Sequence, residues 1–187
     1  MSSERPGHGD DHSRVETSGI ESGVYADDDL VGHVLLLDYD ETSRDRVLSD
    51  AEEIDGPSVV LSSSPGSWHV YGLAVRSWES TLRAARSSSA SEAYIEEMDR
   101  RGESTLRIGA KGDEPAPSVE AVDVPSEGSG TVSRPHCSIL RELCDVDELE
   151  LLLRALEAGI VDDIEPVGEQ AVRSRYETDA PEEVVDG

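Results

Sequence analysis

Three short sets of residues carry the chemistry open to this sequence. The first is Asp38 and Asp40 in LLLDYDET. Two apart on an extended strand, their side chains point to one side. Two carboxylates fixed at a strand end offer the hard oxygen ligands of a Mg²⁺ or Mn²⁺ ion and leave positions for water and phosphate. In two-metal nucleotidyl transfer such a pair holds both ions, which activate the attacking oxygen and steady the leaving one. The plain alternative is a polar strand-to-helix turn in an acid-rich chain. The second set is Ser67 and His69, after the SSSPG turn. They also share a face, and an imidazole beside a metal-bound triphosphate can donate to a phosphate oxygen. The alternative is a half-buried strand histidine, with Trp68 turned the other way into the core. The third set is Arg107 and Lys111 in TLRIGAKG, where Lys111 is the only lysine of the chain. A guanidinium and a compact ammonium near a glycine suit phosphate contact; a solvated lysine head is the alternative.

The elements that position these sets follow from the apolar pattern. VGHVLLLD (31–38) reads as a buried strand. DETSRDRVLSDAEEI (40–54) reads as a helix with Thr42 or Ser43 as cap. GPSVVLSSSPG (56–66) and SWHVYGLAV (67–75) read as a strand hairpin. Residues 78–88 and 91–102 read as helices, the second stopped by Gly102. STLRIGAKG (104–112) reads as a fourth strand, and 113–135 as a loop rich in Pro, Gly and Ser. Residues 136–159 read as one or two amphipathic helices, and 169–178 as a short closing strand. The expectation is a flexible tail over 1–28, one α+β domain over 29–178 with helices packed on a mostly antiparallel sheet, and an acidic tail over 179–187.

Composition bounds the rest. The chain has 187 residues, a formal net charge of −26, one lysine and no phenylalanine. Acid excess with small apolar residues suits a protein kept soluble in multimolar salt. At about 1 M salt the screening length is only ~3 Å, so an acidic surface need not repel nucleic acid. No apolar run approaches a membrane span, and the first residues lack the apolar core of a secretory leader, so a cytoplasmic protein is expected. Cys137 and Cys144 are too few for a disulfide scaffold and, with His136, lack the paired spacing of a zinc site. Arg100 and Arg101 read as a solvated helix end, and no Walker loop or GxSxG motif is present.

Taken in order, LLLDYDE, VVLSSSPGSWHVYGL and STLRIGAKGDEPAP resemble the catalytic core of the archaeo-eukaryotic primase (primase-polymerase) superfamily, nearest to the small primase-like proteins of halophilic archaea. The resemblance spans roughly residues 31–117, with a weaker likeness at RYETDA (175–180). It implies an RRM-like core and metal-dependent nucleotidyl transfer on a DNA or RNA template in replication. Asp38 and Asp40 match the family's metal pair, Ser67 and His69 its S-x-H element, and Arg107 and Lys111 its basic strand. It further implies nucleoside triphosphates and template as partners, with a replication protein as a further one. The family's third acidic ligand is expected near 87–92, where this chain reads SSSASE; Glu92 and Asp99 are the available substitutes.

Two other readings stand beside it. A site short of one carboxylate suits a non-catalytic replication accessory built on the same fold. DYDET also fits the D-x-D-x-T nucleophile loop of haloacid-dehalogenase-like phosphatases, with Ser62, Lys111 and Asp162-Asp163 as later motifs. There Asp38 would attack phosphorus and Asp40 would serve as acid-base.

Overall fold

A computed structural model describes residues 19–26, 28–110, 113–123 and 131–144. The chain runs β1 (Gly19–Glu21), β2 (Gly23–Ala26), β3 (Asp29–Tyr39), α1 (Arg44–Glu52), β4 (Ser58–Ser64), β5 (Ser67–Arg76), α2 (Trp78–Ser87), α3 (Glu92–Arg101), β6 (Thr105–Arg107), β7 (Ser118–Asp123) and α4 (Arg134–Cys144). It is an α+β fold. A five-stranded sheet has the order β2-β3-β5-β4-β7, and β1 pairs with β6 in a separate two-stranded sheet. Every pairing among the described residues is antiparallel.

β3 sets the plan. Its residues from Gly32 to Leu37 are all buried, so both of its faces need cover. Leu35, Leu37 and Tyr39 pack with Val60 and Val70 beneath α1, α2 and α3, through Val47, Ala51, Ala85 and Met98. Val34 and Leu36 pack on the other face with Leu61, Tyr71 and Leu73, beneath Ile20 of β1, Leu106 of β6 and Leu140 of α4. The alternation of a pleated strand separates the two sets.

Local signals place the turns. Pro65 and Gly66 join β4 to β5, with Gly66 at φ 82°. That is the geometry of a type II turn, with proline then a left-handed residue. Gly102 ends α3 at φ 73°, its N–H donating to the Met98 carbonyl at 2.9 Å. Buried Asp50 ties α1 to the rest: it accepts from Ser89 N (2.6 Å) and from the Tyr39 hydroxyl (3.3 Å) and pairs with Arg46 (3.1 Å).

Three sequence expectations need correction. Residues 19–26, expected within the flexible tail, form β1 and β2. Their only apolar inward residues are spaced singly, Ile20 and Val24, among Gly, Ser and Glu, so they leave no strong periodic signal. β6 is three residues rather than nine and leaves the main sheet to pair with β1. Residues 118–123, expected as loop, form β7 and pair with β4. Their short apolar alternation is masked in sequence by flanking Pro, Gly and Ser. The closing strand at 169–178, the acidic tail, RYETDA and most of the helix expected over 136–159 lie outside the described residues. Among the described residues no helix is long and apolar enough to cross a membrane.

Leu36 is fully buried, whereas Leu30 of the same strand is 52% exposed. Leu36→Ala should lower unfolding stability by about 2–5 kcal/mol, and Leu30→Ala by no more than about 0.5 kcal/mol. Urea unfolding of both variants at one fixed KCl concentration checks the contrast. Equal losses would refute the two-faced packing of β3.

Candidate functional site

Asp38 is where the buried stretch of β3 meets solvent. It shares a face with Val34 and Leu36 and stands directly opposite His69 of β5. His69 Nε2 lies 3.5 Å from Asp38 Oδ1. Asp40 follows on the same side and is exposed. Ser67, two residues before His69, opens β5 half-buried, paired with Ser64 across the hairpin. Trp68 turns to the helical face as expected, its Nε1 donating to the Thr42 carbonyl at 3.0 Å.

The turn after Asp40 is held in an uncommon conformation. Glu41 has φ 52°, in the left-handed region that non-glycine residues rarely occupy. Thr42 closes the turn, its hydroxyl donating to the Asp40 carbonyl (3.1 Å) and its N–H to the Gly66 carbonyl (3.2 Å). Over-determined backbone of this kind is common where a side chain must be aimed.

Among the described residues, no strand pairs with the edge of β3 beside Asp38. β2 pairs with β3 only between Asp29 and His33. Past it, Ser91 N donates to the Asp38 carbonyl at 2.7 Å, docking the start of α3 on that edge. Tyr94 of α3 consequently packs against both cores. Burial first, and then the Asp38 charge, push its phenol well above the ordinary tyrosine range.

Arg107 comes from β6. Its carbonyl accepts from the Tyr71 hydroxyl at 3.0 Å. Its guanidinium acts on both members of the pair. Burial pushes Asp38 up to about 6, and the neighbouring Asp40 charge adds to this; Arg107 and the Tyr39 N–H oppose it. Burial brings His69 down to about 4; the Arg107 carbonyl and Asp40 oppose the drop, and the guanidinium adds to it. At neutral pH the pair is therefore a carboxylate beside a neutral imidazole, not an ion pair. His69 Nδ1 is buried with no hydrogen-bond partner among the described residues.

The structure thus brings together Asp38, Asp40, His69 and Arg107, with Ser67 at the margin. It does not bring in the substitutes for a third carboxylate. Glu92 is exposed on the first turn of α3, and Asp99 pairs with Arg86 at 2.7 Å. Both line a surface cavity of about 340 Å³ between α2 and α3. Among the described residues no three His, Cys, Asp or Glu side chains group as metal ligands. Lys111 lies outside the described residues. Sequence reasoning missed Tyr71, Tyr94 and Glu114, which sits on Arg107 at 3.3 Å. No sequence signal singles out any of the three, and Glu114 is one of 42 acidic residues.

His136 is buried and structural: Ser133 Oγ meets its Nδ1, and its Nε2 donates to the Glu21 carbonyl at 2.8 Å. Cys137 is buried, and nothing is described of the Cys144 side chain. Arg100 and Arg101 pair with Glu97 and Glu103, as a solvated helix end would.

The phosphatase geometry fares poorly. Ser62 pairs with Trp68 and so faces the helices, away from Asp38. The doubly wound sheets that carry ligands at their strand ends are mostly parallel, whereas every described pairing here is antiparallel. Asp162 and Asp163 lie outside the described residues. Comparisons of the chain with protein-family models, with curated proteins and with solved structures find no match.

A raised carboxylate pKa favours the folded state at low pH, and the benefit is lost as pH rises through the folded value. For Asp38 that window runs from its ordinary value of 3.8 up to about 6. Asp38→Asn removes the term. At pH 7.5 without divalent cations the variant should be more stable than the parent, by on the order of 1 kcal/mol after allowance for partial exposure. The advantage should vanish by about pH 4. Denaturation at both pH values checks this, and a parent as stable as the variant at pH 7.5 contradicts it.

Proposed function

We propose that the chain is a metal-dependent nucleotidyltransferase of primase-polymerase type, acting on a DNA or RNA template. The observation that carries the reading is the meeting of Asp38 and His69 across β3 and β5, with Asp40 one pleat further on and Arg107 brought over from β6.

The residues fit a Mg²⁺ or Mn²⁺ ion in donor chemistry. Asp40 is exposed, the Asp38 side chain is 29% exposed, and both present carboxylate oxygens on one side of a strand. When bound, the ion would supply neutralisation of the charge on a triphosphate. Asp38 and Asp40 would hold it. His69, neutral at pH 7, would turn its Nε2–H from Asp38 to a phosphate oxygen, and Ser67, two residues away on the same face, would add its hydroxyl. The Arg107 guanidinium would pair with phosphate through its planar fork. Tyr71 stands edge-on to His69 with ring centroids 6.4 Å apart, and Tyr94 packs on the same core.

Connectivity supports the reading. β3-α1-β4-β5-α2 is a split β-α-β run, with β5 inserted between β3 and β4 and both helices on one face. The site lies on the face opposite those helices. One departure is that the strand after the helices, β6, pairs with β1 while β2 takes the place beside β3.

The second reading is a replication accessory that binds nucleotide or template without turnover. The separation of Glu92 and Asp99 from the aspartate pair favours it.

The test is nucleotide incorporation with Mn²⁺ on single-stranded and primed DNA at about 3 M KCl, where screening supports so acidic a chain. The parent should incorporate nucleotide, and folded Asp38→Ala should fall to background. Full activity in Asp38→Ala sinks the assignment. Nucleotide binding without incorporation in the parent selects the accessory reading.

A further inference from the structure

Resting on that phosphate-binding reading, we propose that Glu114 is a built-in competitor at the site: its carboxylate holds the guanidinium edge of Arg107 and is displaced when a phosphate arrives. Arg107 is locked by its loop. Its Nη1 donates to the carbonyls of Gly109 (3.2 Å) and Pro115 (3.3 Å). These bonds fix the guanidinium plane but leave Nη2 to Glu114 Oε2, at 3.3 Å. Tight charge-assisted bonds are nearer 2.7–2.9 Å, so this pairing is loose.

The partners differ in freedom. The Arg107 side chain is 16% exposed and Glu114 58% exposed. Glu114 precedes Pro115, which confines its backbone to extended conformations. The Glu114 side chain, 58% exposed, can swing away into solvent without a change of its backbone. A pair this long, with its carboxylate more than half exposed, contributes little, and less in strong salt. A phosphate brings more charge and accepts two parallel N–H bonds from the same fork. Glu114 thus keeps the Arg107 guanidinium paired in the free protein, and it sets a threshold against weakly charged anions.

The experiment measures binding of inorganic triphosphate with Mg²⁺ to the full chain by calorimetry, in about 1 M KCl. The proteins are the parent, Glu114→Gln, Arg107→Gln, Arg107→Lys and the double variant Arg107→Gln/Glu114→Gln. Glu79→Gln on α2 removes the same charge from the helical layer and serves as control. Glu114→Gln should bind about two- to fivefold tighter than Glu79→Gln. Arg107→Gln should weaken binding about ten- to hundredfold, and Glu114→Gln should then add nothing. Arg107→Lys keeps a cation and guards against misfolding as the cause of the loss. Weakening by Arg107→Gln with Glu114→Gln equal to Glu79→Gln overturns the competitor and leaves the site reading standing. Unchanged binding in both Arg107 variants, or no binding in the parent and Glu114→Gln alike, overturns the site reading and the competitor with it.

Discussion

The fold depends on burying β3 from both sides. An antiparallel strand commonly turns one face to water, but Val34 to Leu37 are all apolar and none is more than 1% exposed. Two covering layers are therefore obligatory. The helical layer supplies one through α1, α2 and α3. The other must come from segments far apart in the chain, and β1, β6 and α4 provide it. Asp38 sits where this double burial stops, which makes it half-buried, and its partner on the next strand is a histidine rather than another aliphatic residue.

That position explains the electrostatics. A carboxylate at the rim of two apolar layers loses hydration, and a second carboxylate two residues on adds repulsion, so the charged form is disfavoured. The Arg107 guanidinium offsets this in part for Asp38, while burial above all keeps His69 neutral, the guanidinium adding to it. The fold thus carries, at one rim, a negative pair short of counter-charge and a neutral donor beside it. Such local imbalance is a cost to stability, and it is the common signature of a site arranged for a charged ligand.

The sequence exposes those parts whose signal is local. LLLD, VVLSSS and HVYGLAV are long enough apolar runs to declare β3, β4 and β5, and Pro65-Gly66 declares their hairpin. The face shared by Asp38 and Asp40, and by Ser67 and His69, follows from strand alternation alone, and antiparallel register then puts Asp38 against His69. The parts that stay hidden are short and depend on distant partners. β1 and β6 have three residues each, too few for periodicity, and gain strand form only from each other. β7 lies at a sheet edge with no buried residue, so it needs few apolar residues. Glu114 was invisible as a site residue because nothing in its type separates it from the other acids of this chain.

The second covering layer does more than seal the core, because it decides where Arg107 stands. β6 is held to β1 by only three residue pairs. Ser22 N–H donates to the Ser104 carbonyl at 2.8 Å, and Ser104 N–H returns a bond to Ser22 Oγ at 3.0 Å, clasping the start of β6. His136 of α4 donates to the Glu21 carbonyl, and Glu21 is opposite Thr105. From the other side, Tyr71 of β5 holds the Arg107 carbonyl. Arg107 is therefore fixed by contacts from β1, β5, Gly109 and Pro115, with α4 bracing β1. A guanidinium placed by so many independent contacts has little conformational freedom left to lose, so any anion it met would find it already ordered.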